Sequence, residues 1–323
     1  MDKVSMFILS EEKLADIDTF IEGNRREVPF YYEEGESEIF YAPVDDGELR
    51  VFHHRPKNNE AKRPIIFFLG FGNPPWTWRY FGVPSHNRGE YYIIDTREKR
   101  SSKMNKHRKI NMTIDQMAKD IGQVIKFLGL ENKDYILMSA SWGGGVLLQG
   151  LTKKYYNPGT VIAFDPFPKF AYHRFFVRIF FGLTPGFVLE GVKMLLAKIV
   201  LTNMKNKAQK ERNLATVNEA VGWKWRRTLI QNTSFNIYDR LHTIENEVFL
   251  FHGPKDRYHP REIYYKISCL IPKCRFFFMD AQEEKRELMA GAIAKEFAKI
   301  TKKDEIPKIF EQYEITIERN SIK

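Results

Sequence analysis

A serine flanked by small residues follows one of the most apolar stretches of the chain. Residues 135–145 read YILMSASWGGG, which places Ser141 between Ser139 and Gly143. The apolar run is typical of a strand buried on both faces, and the small and apolar residues after it favour a helix. Small residues two positions before and after Ser141 permit a sharp strand-to-helix turn, because larger side chains there would clash with neighbouring backbone. Such a turn lifts the hydroxyl to a helix N-terminus, whose N–H groups favour a developing anion, so Ser141 is a candidate nucleophile.

The rest of the chain predicts the elements that must position this turn. Continuous apolar runs recur along the sequence and are typical of buried parallel strands. They occupy residues 64–69, 91–95, 135–138, 161–164, 248–251 and 275–279. Helical stretches are predicted at residues 113–130, 142–155, 259–270 and 283–300. The alternation predicts βαβ units on a parallel sheet, preceded by a helix over 11–23 and a hairpin of strands 37–43 and 48–55.

Three segments together resemble motifs of the α/β-hydrolase family, over about residues 37–300. The turn at Ser141 is similar to the nucleophile elbow of that family, with Ser139 at the place of its first glycine. Residues 69–72, LGFG, are similar to the segment after the family's third strand, and residues 251–256, FHGPKD, to the segment with its catalytic acid. The resemblance implies an α/β-hydrolase fold, which is a mostly parallel central sheet flanked by helices, with a helical cap insertion.

The same resemblance implies roles for individual residues. Ser141 would be the nucleophile and Asp256 the triad acid. The backbone N–H groups of Phe71 and Trp142 would form the oxyanion hole, where each donor is worth about 10²–10³ in rate. No cofactor and no metal are implied.

The family's catalytic histidine is missing from its expected place after the last predicted strand, where Ala281 or Gln282 stands. None of the eight histidines of the chain lies later in the sequence. Serine is a poor nucleophile at neutral pH without a base. Either another histidine therefore takes the place of the missing one, or turnover is lost. His259, three residues after Asp256, is the best replacement.

Other polar residues near predicted strand ends have simpler interpretations. We interpret His252 as a structural residue at a strand end, and His86 and His107 as surface histidines in loops on the rim of the site. Asp165 is an alternative acid, which we interpret as merely ending its strand.

Residues 169–240 break the alternation of strands and helices and predict a mostly helical insertion. They hold 13 Lys/Arg and 4 Asp/Glu, which is +9 of the formal net charge of +10, together with many aromatic residues. In the family such an insertion caps the site, and its aromatic content suits an apolar or acyl ligand. The charge suits peripheral contact with an anionic membrane, at about 1 kcal/mol per basic group near the surface. No nucleic-acid motif accompanies the charge, so nucleic acid is not an expected partner.

Composition narrows the class of protein further. The 323 residues are 43% hydrophobic and 14% aromatic, which excludes a disordered chain. Two cysteines, Cys269 and Cys274, are too few for a disulfide scaffold and lack the spacing of a metal set. We expect a cytoplasmic protein, because no secretory signal is recognised and charges and Pro185 interrupt the most apolar stretch, residues 175–201.

The expected organisation has four parts. They are an N-terminal extension with a short helix (1–36), a core (37–168 and 241–302), a basic aromatic cap (169–240) and a charged, loosely attached tail (303–323). Two functions fit this organisation. One is a serine hydrolase acting on an ester, thioester or amide of an apolar acyl group. The other is a pseudo-hydrolase that kept the sheet, lost turnover, and acts as a ligand-binding or interaction protein.

Overall fold

A mixed, mostly parallel sheet forms the centre of the protein in a computed structural model that describes residues 8–170, 173–202, 207–253, 261–281, 283–301 and 306–319. The strands within these residues are β1 (Glu38–Val44), β2 (Gly47–His54), β3 (Ile65–Phe68), β4 (Tyr91–Ile94), β5 (Lys103–Met104), β6 (Ile136–Ala140), β7 (Thr160–Phe164), β8 (Val248–His252), β9 (Cys274–Phe278) and β10 (Glu314–Ile315). Their order is β1-β2-β4-β3-β6-β7-β8-β9-β10, with β5 beside β2. The run from β4 to β9 is parallel, whereas β1, β2 and β10 pair antiparallel with their neighbours.

Helices cover both faces of this sheet. Those within the described residues are α1 (Glu11–Glu22), α2 (Ile114–Phe127), α3 (Ser141–Thr152), α4 (Arg174–Leu183), α5 (Gly186–Leu201), α6 (Lys207–Glu219), α7 (Gly222–Gln231), α8 (Arg261–Leu270) and α9 (Glu283–Ala298). Two of them begin at side-chain caps. Ser10 Oγ accepts from the N–H of Lys13 at 3.3 Å, and Thr113 Oγ1 accepts from the N–H of Gln116 at 3.2 Å. Each cap satisfies a donor that the first helical turn would otherwise leave unpaired.

The core lies in two layers, one on each face of the sheet. Apolar residues of α2, α3 and α8 pack on one face, and those of α1 and α9 pack on the other. Alternate residues of a strand therefore enter different layers, as Leu137 and Met138 do in β6. Every residue of β3, β4, β6, β7 and β8 is buried, which is why the sequence shows continuous apolar runs there. The expected mostly parallel sheet flanked by helices is confirmed.

The chain after residue 305 differs from the expectation of a loosely attached tail. Its described part, residues 306–319, packs on the core, with Phe310 fully buried and β10 paired to β9. The ring of Phe310 lies 5.6 Å from that of Phe251 and 5.8 Å from that of Phe297. The many charged residues of this segment indicated a solvated tail, although its aromatic residues attach it to the sheet.

Between β7 and β8 the described residues form the helical insertion, α4 to α7, with one isolated bridge between Lys169 and Asn236. No single helix in the described part of the chain is both long and apolar enough to cross a bilayer. Arg174–Leu183 and Gly186–Leu195 meet that test only as a pair, and the two are bent by 110°.

Candidate active site

The turn between β6 and α3 holds Ser141 in an unusual backbone conformation. Its φ is +52°, in the left-handed region that side chains other than glycine rarely adopt. Ser141 is the first residue of α3, is partly exposed, and accepts a hydrogen bond on its carbonyl oxygen from the N–H of Phe167 at 2.9 Å. A strained residue held at the end of a buried strand and the start of a helix is what the predicted elbow requires.

Small residues around Ser141 make this turn possible. Ser139 Oγ donates to the carbonyl oxygen of Phe68 at 2.7 Å, and a Cβ on Gly143 would lie 2.2 Å from that same Oγ. A Cβ on Gly144 would lie 2.6 Å from the Cα of Pro166. The hydroxymethyl group of Ser139 therefore fits because Gly143 has no side chain, and α3 can pack closely against the segment after β7.

The loop after β3 passes beside the turn, because a Cβ on Gly70 would lie 3.8 Å from the Cβ of Ser141. Two buried charged side chains fix this loop. Lys99 Nζ donates to the carbonyl oxygen of Gly70 at 2.5 Å, and Glu98 Oε1 accepts from the N–H of Gly72 at 3.1 Å. Phe71, the expected oxyanion donor, thus stands between two residues whose backbones are held by a buried ion pair, with Lys99 Nζ 3.1 Å from Glu98.

The Glu98 carboxyl of this ion pair stays ionised although it is buried. Burial raises the pKa of the Glu98 carboxyl, but the Lys99 ammonium and hydrogen bonds from Thr96 and Gly72 outweigh it, so the pKa lies below the ordinary value. The carboxylate is therefore charged at neutral pH, and its bond to the loop persists there.

Aromatic rings from the core and the insertion meet over this loop. The ring of Phe71 lies 5.3 Å from that of Trp142 and 4.8 Å from that of Trp225. A Cβ on Gly72, whose φ is +64°, would lie 2.4 Å from the Trp225 ring. Trp225 belongs to α7, and its neighbour Lys224 is buried, with Nζ donating to the carbonyl oxygens of Lys99 and Ser102 at 2.5 and 2.6 Å. Burial lowers the pKa of Lys224 to about 8.

A second polar cluster lies at the carboxyl ends of β7 and β8. Nδ1 of the buried His252 lies 2.5 Å from Oδ1 of the buried Asp165, whose φ is +45°. The other carboxylate oxygen of Asp165 forms an ion pair with Arg286 of α9, and burial lowers the pKa of that guanidinium to about 10. The His252 ring stacks on Tyr264 at 4.5 Å. Sequence reasoning treated Asp165 and His252 separately and missed their pairing, although both end parallel strands and such ends meet at one edge of a sheet.

Comparisons with known proteins bear on the fold. No family model matches the chain, and no curated protein is significantly similar to it in sequence. Solved structures are similar in shape. A hydrolase from Pseudomonas aeruginosa matches with a TM-score of 0.62 at 12% identity, over 81% of this chain and 98% of that one. The enol-lactonase from Burkholderia xenovorans matches with a TM-score of 0.62 at 15% identity, over 79% and 97%. A thermophilic esterase from Thermogutta terrifontis matches with a TM-score of 0.60 at 15% identity, over 76% and 90%.

The chain has the α/β-hydrolase fold. Within that fold, the place expected for the histidine follows β9, and Ala281 there is buried. The expected acid Asp256 and the replacement base His259 lie outside the described residues. Ser141, Trp142 and Phe71 are brought together at one edge of the sheet.

The expectation that His86 is a surface histidine on the rim of the site is wrong, because its side chain is buried. Its ring lies 4.8 Å from that of His54, which ends β2 opposite Tyr91, the first residue of β4. His86 is therefore at the amino end of the parallel strands of the hydrolase fold, away from Ser141, because the loop after β3 runs back across the sheet before β4 begins. His107 is exposed and lies 3.0 Å from Asp46 in the β1–β2 turn, as expected of a surface residue.

The remaining expectations concern metals and thiols. Cys274 is buried and Cys269 partly so, and these two described cysteines are not joined in a disulfide. Among the described residues no group of His, Cys, Asp and Glu side chains could hold a metal ion.

Proposed function

We propose that this chain is a serine hydrolase acting on an ester, thioester or amide of an apolar acyl group. The observation that carries the proposal is the left-handed backbone of Ser141 at the first position of α3. A left-handed residue between a buried strand and a helix is the conformation that a nucleophile elbow requires, and it presents a hydroxyl beside helix N–H groups.

The proposed reaction combines Ser141 at this turn with the acid and base expected from the sequence. Ser141 Oγ attacks the acyl carbonyl as His259, oriented by Asp256, takes the hydroxyl proton. The N–H groups of Trp142 and Phe71 hold the oxyanion of the tetrahedral intermediate. The intermediate collapses to an acyl-enzyme when the imidazolium returns the proton to the leaving group, and water then repeats the sequence to release the acid.

The surroundings of Ser141 support an apolar acyl group as the substrate. Four aromatic rings are in contact one after another beside Ser141, in the order Trp225, Phe71, Trp142 and Phe167. Because Trp225 comes from the insertion, we propose that α4 to α7 act as a cap over the site. One structure of similar fold is a carboxylesterase, the naproxen esterase from Bacillus subtilis, which supports a carboxylic ester as the substrate.

A second candidate is a pseudo-hydrolase that binds an acyl ligand without turnover. It is favoured by the buried Ala281 at the place where the fold's histidine is expected. Removing the histidine of a serine triad typically costs on the order of 10⁴–10⁶ in turnover, so a chain without any replacement would be a binding protein.

A fluorophosphonate probe separates the two functions, because it reacts only with an activated serine. We expect the folded wild type to be labelled at Ser141 and to hydrolyse p-nitrophenyl esters, with longer acyl chains preferred, and Ser141→Ala to lose both. A folded wild type that is neither labelled nor active would overturn the hydrolase. Saturable binding of a long-chain fatty acid by that same preparation would establish the pseudo-hydrolase.

A further inference from the structure

The helices α4 and α5 expose an apolar face of unusual size. It comprises Phe175, Phe176, Ile179, Phe180, Leu183, Phe187 and Val188. The exposed fraction is 69% for Phe176, 80% for Leu183 and 78% for Phe187. Soluble surfaces rarely carry so many large apolar side chains side by side, and such patches mark interaction sites.

This apolar face is firmly attached to the rest of the insertion. Arg226 of α7 donates to the carbonyl oxygens of Thr184 and Gly182 at 2.9 and 2.7 Å, where α4 ends and the turn to α5 begins. A Cβ on Gly222 would lie 2.3 Å from the carbonyl oxygen of Gly186, so α5 and α7 are in close contact. The inward side chains Val177 and Leu189 are buried. The exposed rings are therefore the outer side of helices whose inner side is already packed.

The charges beside the apolar face are almost all positive. Arg174 and Lys198 are exposed on α4 and α5, and α4 contains no carboxylate. Arg178 of α4 instead donates to Thr233 Oγ1 at 2.9 Å and to Ser234 Oγ at 3.2 Å. The carboxylate of α5, Glu190, lies 2.5 Å from Lys193 Nζ and 2.8 Å from the N–H of Gly222. Exposed phenylalanine rings beside positive charges suit the surface of an anionic membrane, where apolar acyl chains lie beneath negatively charged headgroups.

The basic residues of α7 do not contribute to this surface. Lys224 is buried, Arg226 binds the α4–α5 turn, and Arg227 donates to the carbonyl oxygen of Arg108 at 2.7 Å. Of residues 169–240, all of which were expected to take part in membrane contact, we therefore assign that contact to α4 and α5.

We propose that the apolar face of α4 and α5 docks on an anionic lipid bilayer. The phenylalanine rings enter the boundary between headgroups and acyl chains, and Arg174 and Lys198 lie among the lipid phosphates. Trp225 of α7, the helix that underlies this face, touches the loop beside Ser141, so docking brings acyl lipids near the site. The docking itself does not depend on chemistry at Ser141.

Flotation of the full chain with lipid vesicles tests this proposal. We expect binding to vesicles rich in phosphatidylglycerol, weaker binding to pure phosphatidylcholine, and loss of the difference at high salt. Phe176→Ser with Phe187→Ser should weaken binding about tenfold or more, because two exposed rings no longer enter the lipid. Arg174→Gln with Lys198→Gln should weaken it on the order of tenfold at low salt.

Two controls keep the outcomes distinct. Phe127→Ser removes a ring that is 52% exposed on α2, outside the apolar face, and should bind as the wild type does. Ser141→Ala should also bind normally, which separates docking from catalysis. Failure of the wild type to bind anionic vesicles at low salt would overturn the proposal. So would concentration-dependent self-association that the Phe176→Ser/Phe187→Ser variant abolishes while lipid binding is unchanged, since the face would then join copies of the chain.

Discussion

His252 Nδ1 and Asp165 Oδ1 lie 2.5 Å apart at the ends of neighbouring parallel strands, β8 and β7. A carboxylate bound to this nitrogen is how a triad orients its histidine. Here, however, the same carboxylate also pairs with Arg286, and the imidazole is fully buried against Tyr264. We therefore interpret the cluster as a structural joint between β7, β8 and α9, and keep His259 as the proposed base.

This interpretation predicts that one histidine substitution mainly lowers stability and another mainly slows the labelling of Ser141. His252→Gln should lower the free energy of unfolding by about 3 kcal/mol, because a buried ion cluster loses one partner. The fraction that stays folded should still react with the fluorophosphonate probe. His259→Gln should slow labelling of Ser141 on the order of 10⁴-fold with a smaller loss of stability. Urea unfolding and labelling rates of both variants measure these effects. Normal labelling of His259→Gln together with no labelling of folded His252→Gln would instead make the buried dyad the base.

Lys99 is expected to position the oxyanion loop through the carbonyl of Gly70. Lys99→Met leaves the Glu98 carboxylate without its cation and should cost about 3 kcal/mol of unfolding free energy. It should also slow labelling of Ser141 about 10²-fold, because the Phe71 amide is no longer held.

A variant that only loses stability is the control for that experiment. Arg63 is buried at the opposite edge of the sheet, where it donates to Thr160 Oγ1 and to the carbonyl oxygen of Phe297, each at 2.6 Å. Arg63→Met should be destabilised to a similar degree and labelled at the wild-type rate. Equal slowing in both variants would mean that labelling follows stability and that Lys99 has no positioning role.

Glu287 of α9 gives the fold a dependence on pH. Burial raises the pKa of this carboxyl from 4.5 to about 7, even though Arg212 of α6 lies 2.9 Å away. Between these two pKa values the folded protein retains a proton that the unfolded chain has released, so stability falls as the pH rises through this window. The loss is about 3 kcal/mol at pH above 7, from roughly 1.4 kcal/mol per pKa unit.

Urea unfolding at pH 5 and pH 8 checks this expectation. The wild type should lose about 3 kcal/mol more than Glu287→Gln over that interval, because glutamine cannot ionise. Arg212→Met should extend the loss to higher pH, since the guanidinium no longer lowers the pKa of Glu287. Parallel pH profiles for the wild type and Glu287→Gln would contradict the assignment.

The sequence by itself determined most of the core elements and the local turn at Ser141. Continuous apolar runs predicted β3, β4, β6, β7, β8 and β9 to within about two residues, because burial on both faces favours apolar side chains at nearly every position. The turn at Ser141 could also be predicted from the sequence, because its conformation depends on the sizes of Ser139 and Gly143, two positions away on either side.

Only the tertiary structure decided which distant residues meet. His252 and Asp165 are 87 positions apart, and Lys224 and Lys99 are 125 apart. Such contacts depend on strand order and on how the insertion packs, neither of which leaves a local pattern in the chain. The same reason explains the misplaced His86, because which edge of a sheet a loop reaches is set by where the next strand starts.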